Sequence, residues 1–246
     1  MISATFDALL YRPLYNLLVA LIDIPYVDAG VAVIVLTIIV KLLLFPISMK
    51  AVRAQEAMTL LQPELTAIQE KHKDDRNALA LATLELYRKN GVNPFSGILT
   101  ILIQIPIILA LYWVFYKGGL PVIDVEKLYS FVPNPSTVDT TFVGLLEVTQ
   151  SKSVIIALLT AATAFLQANI TMMKPNLTSK PGESMRDDMV RSMHVQMKYV
   201  LPLVVGFVAF GLQAVVGLYW ITSNLFGIGQ HLYIKSKMKK VGAQVV

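Results

Sequence analysis

Apolar residues in this chain gather into a few long runs separated by polar segments. Clear runs lie at 28–49, 95–116 and 153–173. Each is about 20 residues, the length an α-helix needs to cross a hydrocarbon core of about 30 Å at 1.5 Å per residue. A fourth run, Tyr199 to Ile234, contains no Asp, Glu, Lys or Arg. As one helix it would extend over roughly 50 Å, too long for a single crossing. Gly211, Gln213 and Gly217 are its natural breakpoints, giving short spans over 199–214 and 217–234 joined by a tight turn. The pattern therefore predicts five spans.

The remaining segments follow other periods. Leu10, Leu14, Leu17, Leu18, Leu21 and Ile22 form one helical stripe interrupted by Asp7, Arg12, Asn16 and Asp23. This predicts an amphipathic helix over 1–26 lying in the membrane interface rather than spanning it. Met58, Leu61, Leu65 and Ile68 follow three-four spacing, as do Leu79, Thr83 and Leu86, with Lys73-Asp74-Asp75 as a polar break. A helical hairpin standing off the membrane over 50–93 is expected, closed by the Asn90-Gly91 stop signal. Residues 117–152 are rich in Pro and Gly and read as an irregular loop. The segment 174–198 carries Met185, Met189, Met193 and Met197 at every fourth position, and 235–246 is a basic tail. Methionine adapts to varied apolar partners; the plainer reading docks this helix on lipid or on its neighbours.

Composition supports a membrane protein. Hydrophobic residues make up 55% and charged residues 15%, against about 25% charged in a soluble domain; the mean hydropathy is +0.62. The net charge of +5 is clustered between spans, not interleaved with aromatics in a stripe of nucleic-acid-binding type. The absence of cysteine excludes disulfides, thiolate metal sites and a lipobox cysteine. The N-terminus has neither a basic n-region nor a small-residue cleavage site, so a removable signal peptide is not expected. Sixteen basic residues lie in 50–93, 174–198 and the tail, against Arg12, Lys117, Lys127 and Lys152 on the other side. By the positive-inside rule the N-terminus is outside and the C-terminus cytoplasmic.

Within the apolar run from Gly30 to Ile47, Lys41 is the only charged residue. A charge at a helix centre costs roughly 2.5–3.5 kcal/mol on insertion scales, so it either snorkels to the interface or stands in a hydrated cavity that attracts acidic groups. Gln104, Gln167, Thr222, Ser223 and Asn224 add polar groups on other spans. One buried amide is ordinarily interhelical glue, worth of order 1 kcal/mol; several together can line a shared groove. No Asp or Glu lies in the interior of any span, which argues against a proton relay or cation site. Pro46, Pro106 and Pro202 would kink their spans. Tyr112, Trp113 and Tyr116 suit an aromatic belt, and Tyr219 and Trp220 suit a belt or a greasy substrate. His72, His194 and His231 have no metal spacing, and no hydrolase, P-loop or dinucleotide motif is present.

These residues resemble the YidC membrane-insertase family, related to the mitochondrial Oxa and chloroplast Alb proteins. The similarity runs from IIVKLLLFPIS through QPELTAIQEKHKDD, KNGVNPFSGILTILIQIPI and ALYWVF to LPLVVGFVAFGLQAVVGLYWITSNLFGIGQ. It implies an all-α polytopic membrane protein of the bacterial plasma membrane. Five transmembrane helices would surround a hydrophilic groove open to the cytoplasm and lipid, with an N-terminal interfacial helix and a cytoplasmic helical hairpin. The groove residues it implies are Lys41, Gln104, Gln167, Trp220 and Asn224. The implied activity is ATP-independent insertion of membrane proteins, with no covalent chemistry, cofactor, metal or direct nucleic-acid site. Partners would be nascent membrane proteins, the lipid bilayer, the Sec translocon, and the ribosome and signal-recognition machinery. Two departures stand out. Most bacterial members have arginine where Lys41 stands, so the bidentate fork is lost while the charge is kept. The large outer domain of Gram-negative members and a long basic tail are missing, leaving Lys235–Lys240 to serve ribosome docking.

Two rival readings remain. A small solute or ion transporter would need a through-going pore, and the carboxylate-free spans count against it. A non-inserting assembly factor for the Sec translocon would use the same groove.

Overall fold

The computed structural model describes residues 4–72, 75–93, 96–116, 120–172, 177 and 185–242. Helix α1 (Ala4–Phe6) passes through a π turn (Asp7–Tyr11) into α2 (Arg12–Ile22), and α3 (Ala29–Leu43) and α4 (Phe45–Leu60) follow. Next come α5 (Gln62–Lys71), α6 (Arg76–Lys89) and α7 (Ser96–Tyr116). The loop after α7 holds a two-stranded antiparallel ribbon, β1 (Thr141–Phe142) and β2 (Leu146–Glu147). The chain ends with α8 (Val154–Thr171), α9 (Met185–Val195), a second π turn (Gln196–Val200), α10 (Leu201–Gly211) and α11 (Ala214–Gly242). This is an all-α polytopic membrane protein. By length and apolarity Val154–Thr171 and Asp187–Gly211 can each cross a membrane, and Ala29–Leu43 and Phe45–Leu60, bent by 66°, have the length and apolarity of a broken span or a re-entrant loop.

Helix α11 is the central post, touching α3, α4, α7, α8 and α10. It falls short of a simple apolar span because Thr222, Ser223, Asn224, Gln230 and His231 interrupt it. Small residues let its neighbours close in. A Cβ added at Gly217 would collide with Ile156 of α8, and one at Gly206 of α10 would stand 2.7 Å from the Ala161 Cβ.

Prolines explain the breaks. The apolar run over 28–49 is two helices, because Pro46 lacks an N–H and its ring conflicts with the Leu42 carbonyl one turn back. The first helix ends at Leu43, and Pro46 occupies the first turn of the next. Lys41 is therefore in the last turn of α3, not deep within a longer helix. Pro202 follows the second π turn inside the continuous helical run Asp187–Gly211, and Pro106 lies inside α7. Both π turns end two residues before a proline, Pro13 and Pro202. The wider turn relieves the clash between the proline ring and the preceding carbonyls.

Helix α2 is packed into protein. Tyr15, Leu18, Val19 and Ile22 are buried with Ala32, Val33 and Leu36 of α3 and Val114 and Phe115 of α7. Asn16 stitches it to the loop after α7: its Nδ2 donates to Lys127 O at 2.9 Å, and its Oδ1 accepts from Tyr129 N at 2.6 Å. That loop closes one end of the bundle, hereafter the loop end. Asp28 caps α3 by accepting from Val31 N and also accepts from Val143 N in the ribbon. The Phe142 ring covers Gly30 so closely that an added Cβ would be 2.5 Å from it. Backbone bonds from Ala214 N to Gln150 O (2.8 Å) and Val215 N to Val148 O (2.9 Å) tie the loop to the α10–α11 turn.

The opposite end carries the hairpin. Its α5–α6 part has a small core of its own, Leu61, Leu65, Leu86 and Val92, on which Ala57 and Met58 from the end of α4 also pack. Positions 73–74 of its polar break lie outside the described residues.

Candidate functional site

Helices α8 and α11 share a polar seam in otherwise apolar surroundings. Asn224 Nδ2 donates to Thr163 Oγ1 at 3.2 Å, and Thr163 Oγ1 in turn donates to Leu159 O at 2.8 Å. One turn further along both helices, the Gln167 amide fills the space left by Gly227, whose added Cβ would be 2.5 Å from Gln167 Nε2. Thr160, one turn toward the loop end, is fully buried with its hydroxyl unpartnered. The seam thus offers amide and hydroxyl groups, and no carboxylate, along about two turns of helix.

Apolar clefts flank α11. The larger, about 690 Å³, is lined by Ile34 and Ile38 of α3, Ile155 and Leu159 of α8, and Leu218 and Leu225 of α11. Phe142 and Leu146 of the ribbon close its loop end. The smaller, about 300 Å³, lies between α7 and α11, and Trp220 lines it together with Ile108 and Tyr112. Trp220 therefore faces α7 rather than the larger cleft. Lys41 stands on another helix, half-buried at the hairpin end of α3. Gln104 is on α7, with its side chain outside the described ones. Of the five expected groove residues, the fold brings Gln167 and Asn224 onto one seam.

At the hairpin end, α4 crosses beneath α11. Gln230 Nε2 donates to Ser48 Oγ at 2.6 Å, and Gln55 Nε2 donates to Thr171 O at the end of α8 at 2.7 Å. His231 Nε2 is 3.0 Å from Glu56 Oε1, out of line for a hydrogen bond but ionic when the ring is protonated; Lys235 lies 4.0 Å from the same oxygen. Thr163, Gly227 and these α4 contacts did not stand out in the sequence. Polar residues at 55–56 look solvent-facing there, and nothing local links them to positions 171 and 231. Among the described residues no group of His, Asp or Glu is arranged to hold a metal ion.

Comparison with known proteins places this arrangement. The model of the family described as 60Kd inner membrane protein matches residues 21–241. The chain is 34% identical over 213 residues to a protein of Oceanobacillus iheyensis named "Membrane protein insertase YidC", covering 85% of this chain and 75% of that one. A protein of the same name from Fusobacterium nucleatum is 29% identical over 208 residues, covering 85% of this chain and 86% of its own length. Against one from Ectopseudomonas mendocina, 31% identical, the chain covers only 31% of the relative. A solved structure titled "Active YidC insertase crystal structure with the first transmembrane domain resolved" superposes with a TM-score of 0.55 at 23% identity. It covers 91% of this chain and 45% of that one, a likeness of fold alone.

Proposed function

The chain belongs to the 60Kd inner membrane protein family, the YidC/Oxa/Alb insertases, and from that premise we propose that it inserts and helps fold membrane proteins in the bacterial inner membrane. The observation that carries this reading is the pairing of a polar seam and an apolar cleft on the same two helices. A polypeptide with a polar terminal segment and an apolar segment needs both surfaces at once. The seam's amides lessen the desolvation cost of the polar part, while the cleft beside α3, α8 and α11 passes the apolar part to lipid.

Lys41 supplies the charge. An ammonium at the hairpin end of α3 attracts an acidic segment entering from the cytoplasm, and the membrane potential then contributes about 2.3 kcal/mol per charge per 100 mV. Gln104 and Trp220 complete the groove from α7 and the α7-facing side of α11. In this orientation the hairpin and the C-terminus are cytoplasmic and the loop end faces out. The protein works alone or alongside the Sec translocon.

The test is insertion of a small acidic-tailed membrane protein into proteoliposomes holding wild type, Lys41→Ala or Lys41→Arg. Lys41→Arg should retain insertion, and Lys41→Ala should lose most of it, with a smaller loss for a substrate whose tail is neutral. Equal activity of Lys41→Ala on the acidic substrate would overturn the electrostatic part of the reading.

A further inference from the structure

We infer that the methionine face of α9 is a docking track for the apolar segment of an incoming membrane polypeptide, delivering it to the lipid-facing side of α10; this rests on the insertion reading above. Met185 and Met189 are 90% and 62% exposed, and Met193 and Met197 are exposed as well. The stripe does not stop with α9. Leu201, Val204 and Val208, at spacings of three and four residues, continue it as exposed apolar positions along α10.

Charges fix where the track begins. Arg186, Asp187, Asp188 and Arg191 are interleaved with Met185 and Met189, a density of charge that keeps this stretch out of the centre of the hydrocarbon. Counting about 20 residues back from Gly211, the length of one crossing, puts the hydrocarbon boundary near Ser192. Residues Asp187–Gly211 form one run of 25 residues, so α9 leaves the membrane along the axis of α10 rather than folding flat onto the surface. Met185 and Met189 consequently project into water. Asp187, on another side of α9, is buried; the helix is held there and leaves its methionines outward.

The chemistry of the track selects its occupant. A ligand must be at home against thioethers in water at one end and against lipid at the other. An apolar helical segment of a polypeptide meets both conditions. A lipid tail does not, since it would have to leave the bilayer to reach Met185 beside three charged residues. Unbranched, polarisable methionine side chains adapt to segments of varied sequence, which suits a surface that must take many substrates.

Because the chain has no cysteine, a photo-reactive group can be attached through the single change Met189→Cys, Val204→Cys or, as a control in the hairpin, Leu81→Cys. The full-length protein in vesicles is then offered a single-span membrane protein with an acidic tail, made in vitro, with a photo-reactive phospholipid in a parallel sample. Position 189 should cross-link to the apolar segment of the substrate and lose the adduct when that segment is made polar; position 81 should give none. The triple change Met185→Asn, Met189→Asn, Met193→Asn should lower insertion several-fold and weaken the adduct at 204, whereas the same three changes to Leu should preserve both. Cross-linking of 189 to phospholipid only, or full insertion by the Asn variant, would overturn the inference. Failure of the wild-type protein to insert anything would instead sink the insertion reading itself.

Discussion

Gly227 shows how a missing side chain positions another. Its absent Cβ leaves room for the Gln167 amide, and Gln167 ends in a flexible amide that can move aside. Gly227→Ala should therefore displace the amide while changing stability by less than about 1 kcal/mol. Insertion should fall as far as in Gln167→Ala, and the double variant should be no worse than either single one, a non-additivity that marks contact between the two positions. Glu147 gives a pH-dependent counterpart at the loop end. It accepts from the Thr149 hydroxyl at 2.6 Å, from Thr149 N at 3.2 Å and from the Thr140 hydroxyl at 3.0 Å. The Thr149 hydroxyl chiefly holds its carboxyl below the usual carboxylate range. A pKa depressed by folding contributes stability that is present above the unfolded value and lost as pH falls through the folded one. Thr149→Val should raise the Glu147 pKa, read by NMR titration of the side chain, and bring acid loosening of the loop to higher pH. Some of this scale was legible in the sequence. Asn224 and Gln167 announce themselves as amides in apolar runs. Thr163 does not, because a threonine hydroxyl can always bond its own helix, here to Leu159 O, and a glycine within a span carries no signal of what fills its place.

The elements were legible wherever a pattern repeats locally. Three-four periodicity predicts a hairpin over 50–93, and proline and glycine chemistry predicts a kink at Pro46 and a break near Gly211. Proline alone does not fix the 66° between α3 and α4. That angle also depends on docking of α4 through Ser48–Gln230, Gln55–Thr171 and Glu56–His231, contacts between residues more than a hundred positions apart. The N-terminal stripe shows the same limit. Its period is that of an amphipathic helix, but the sequence does not say whether lipid or protein meets the apolar side, and Leu18 and Val19 meet α3 and α7. If docking holds α4, Ser48→Ala with Gln55→Ala should speed amide hydrogen exchange across Phe45–Leu60. Exchange in α5 and α6 should change far less, since Leu61, Leu65, Leu86 and Val92 pack with one another and meet α4 only through Ala57 and Met58 near its end. Equal acceleration throughout the hairpin would contradict the separation of these two packing units.

At the scale of the whole molecule, charge distribution predicts the orientation and packing sets the shape. The count of basic residues predicts that a single cysteine introduced at Glu85 of α6 reacts with an impermeant reagent from the cytoplasmic side only. One introduced at Asp139 in the loop should react from the opposite side only; labelling of both from one side would refute the orientation. What composition could not show is how the loop meets the bundle, because its anchors are single residues scattered through 120–151. Phe142 lies over Gly30, and Gln150 and Val148 bond the start of α11. The consequence is bioenergetic. An inner membrane that stores work as an ion gradient cannot tolerate a continuous wire of water through any protein that crosses it. An aromatic ring pressed on a glycine, backed by two backbone bonds, interrupts such a wire where it would emerge. The small ribbon at the loop end thereby acts as electrical insulation over that end of the bundle.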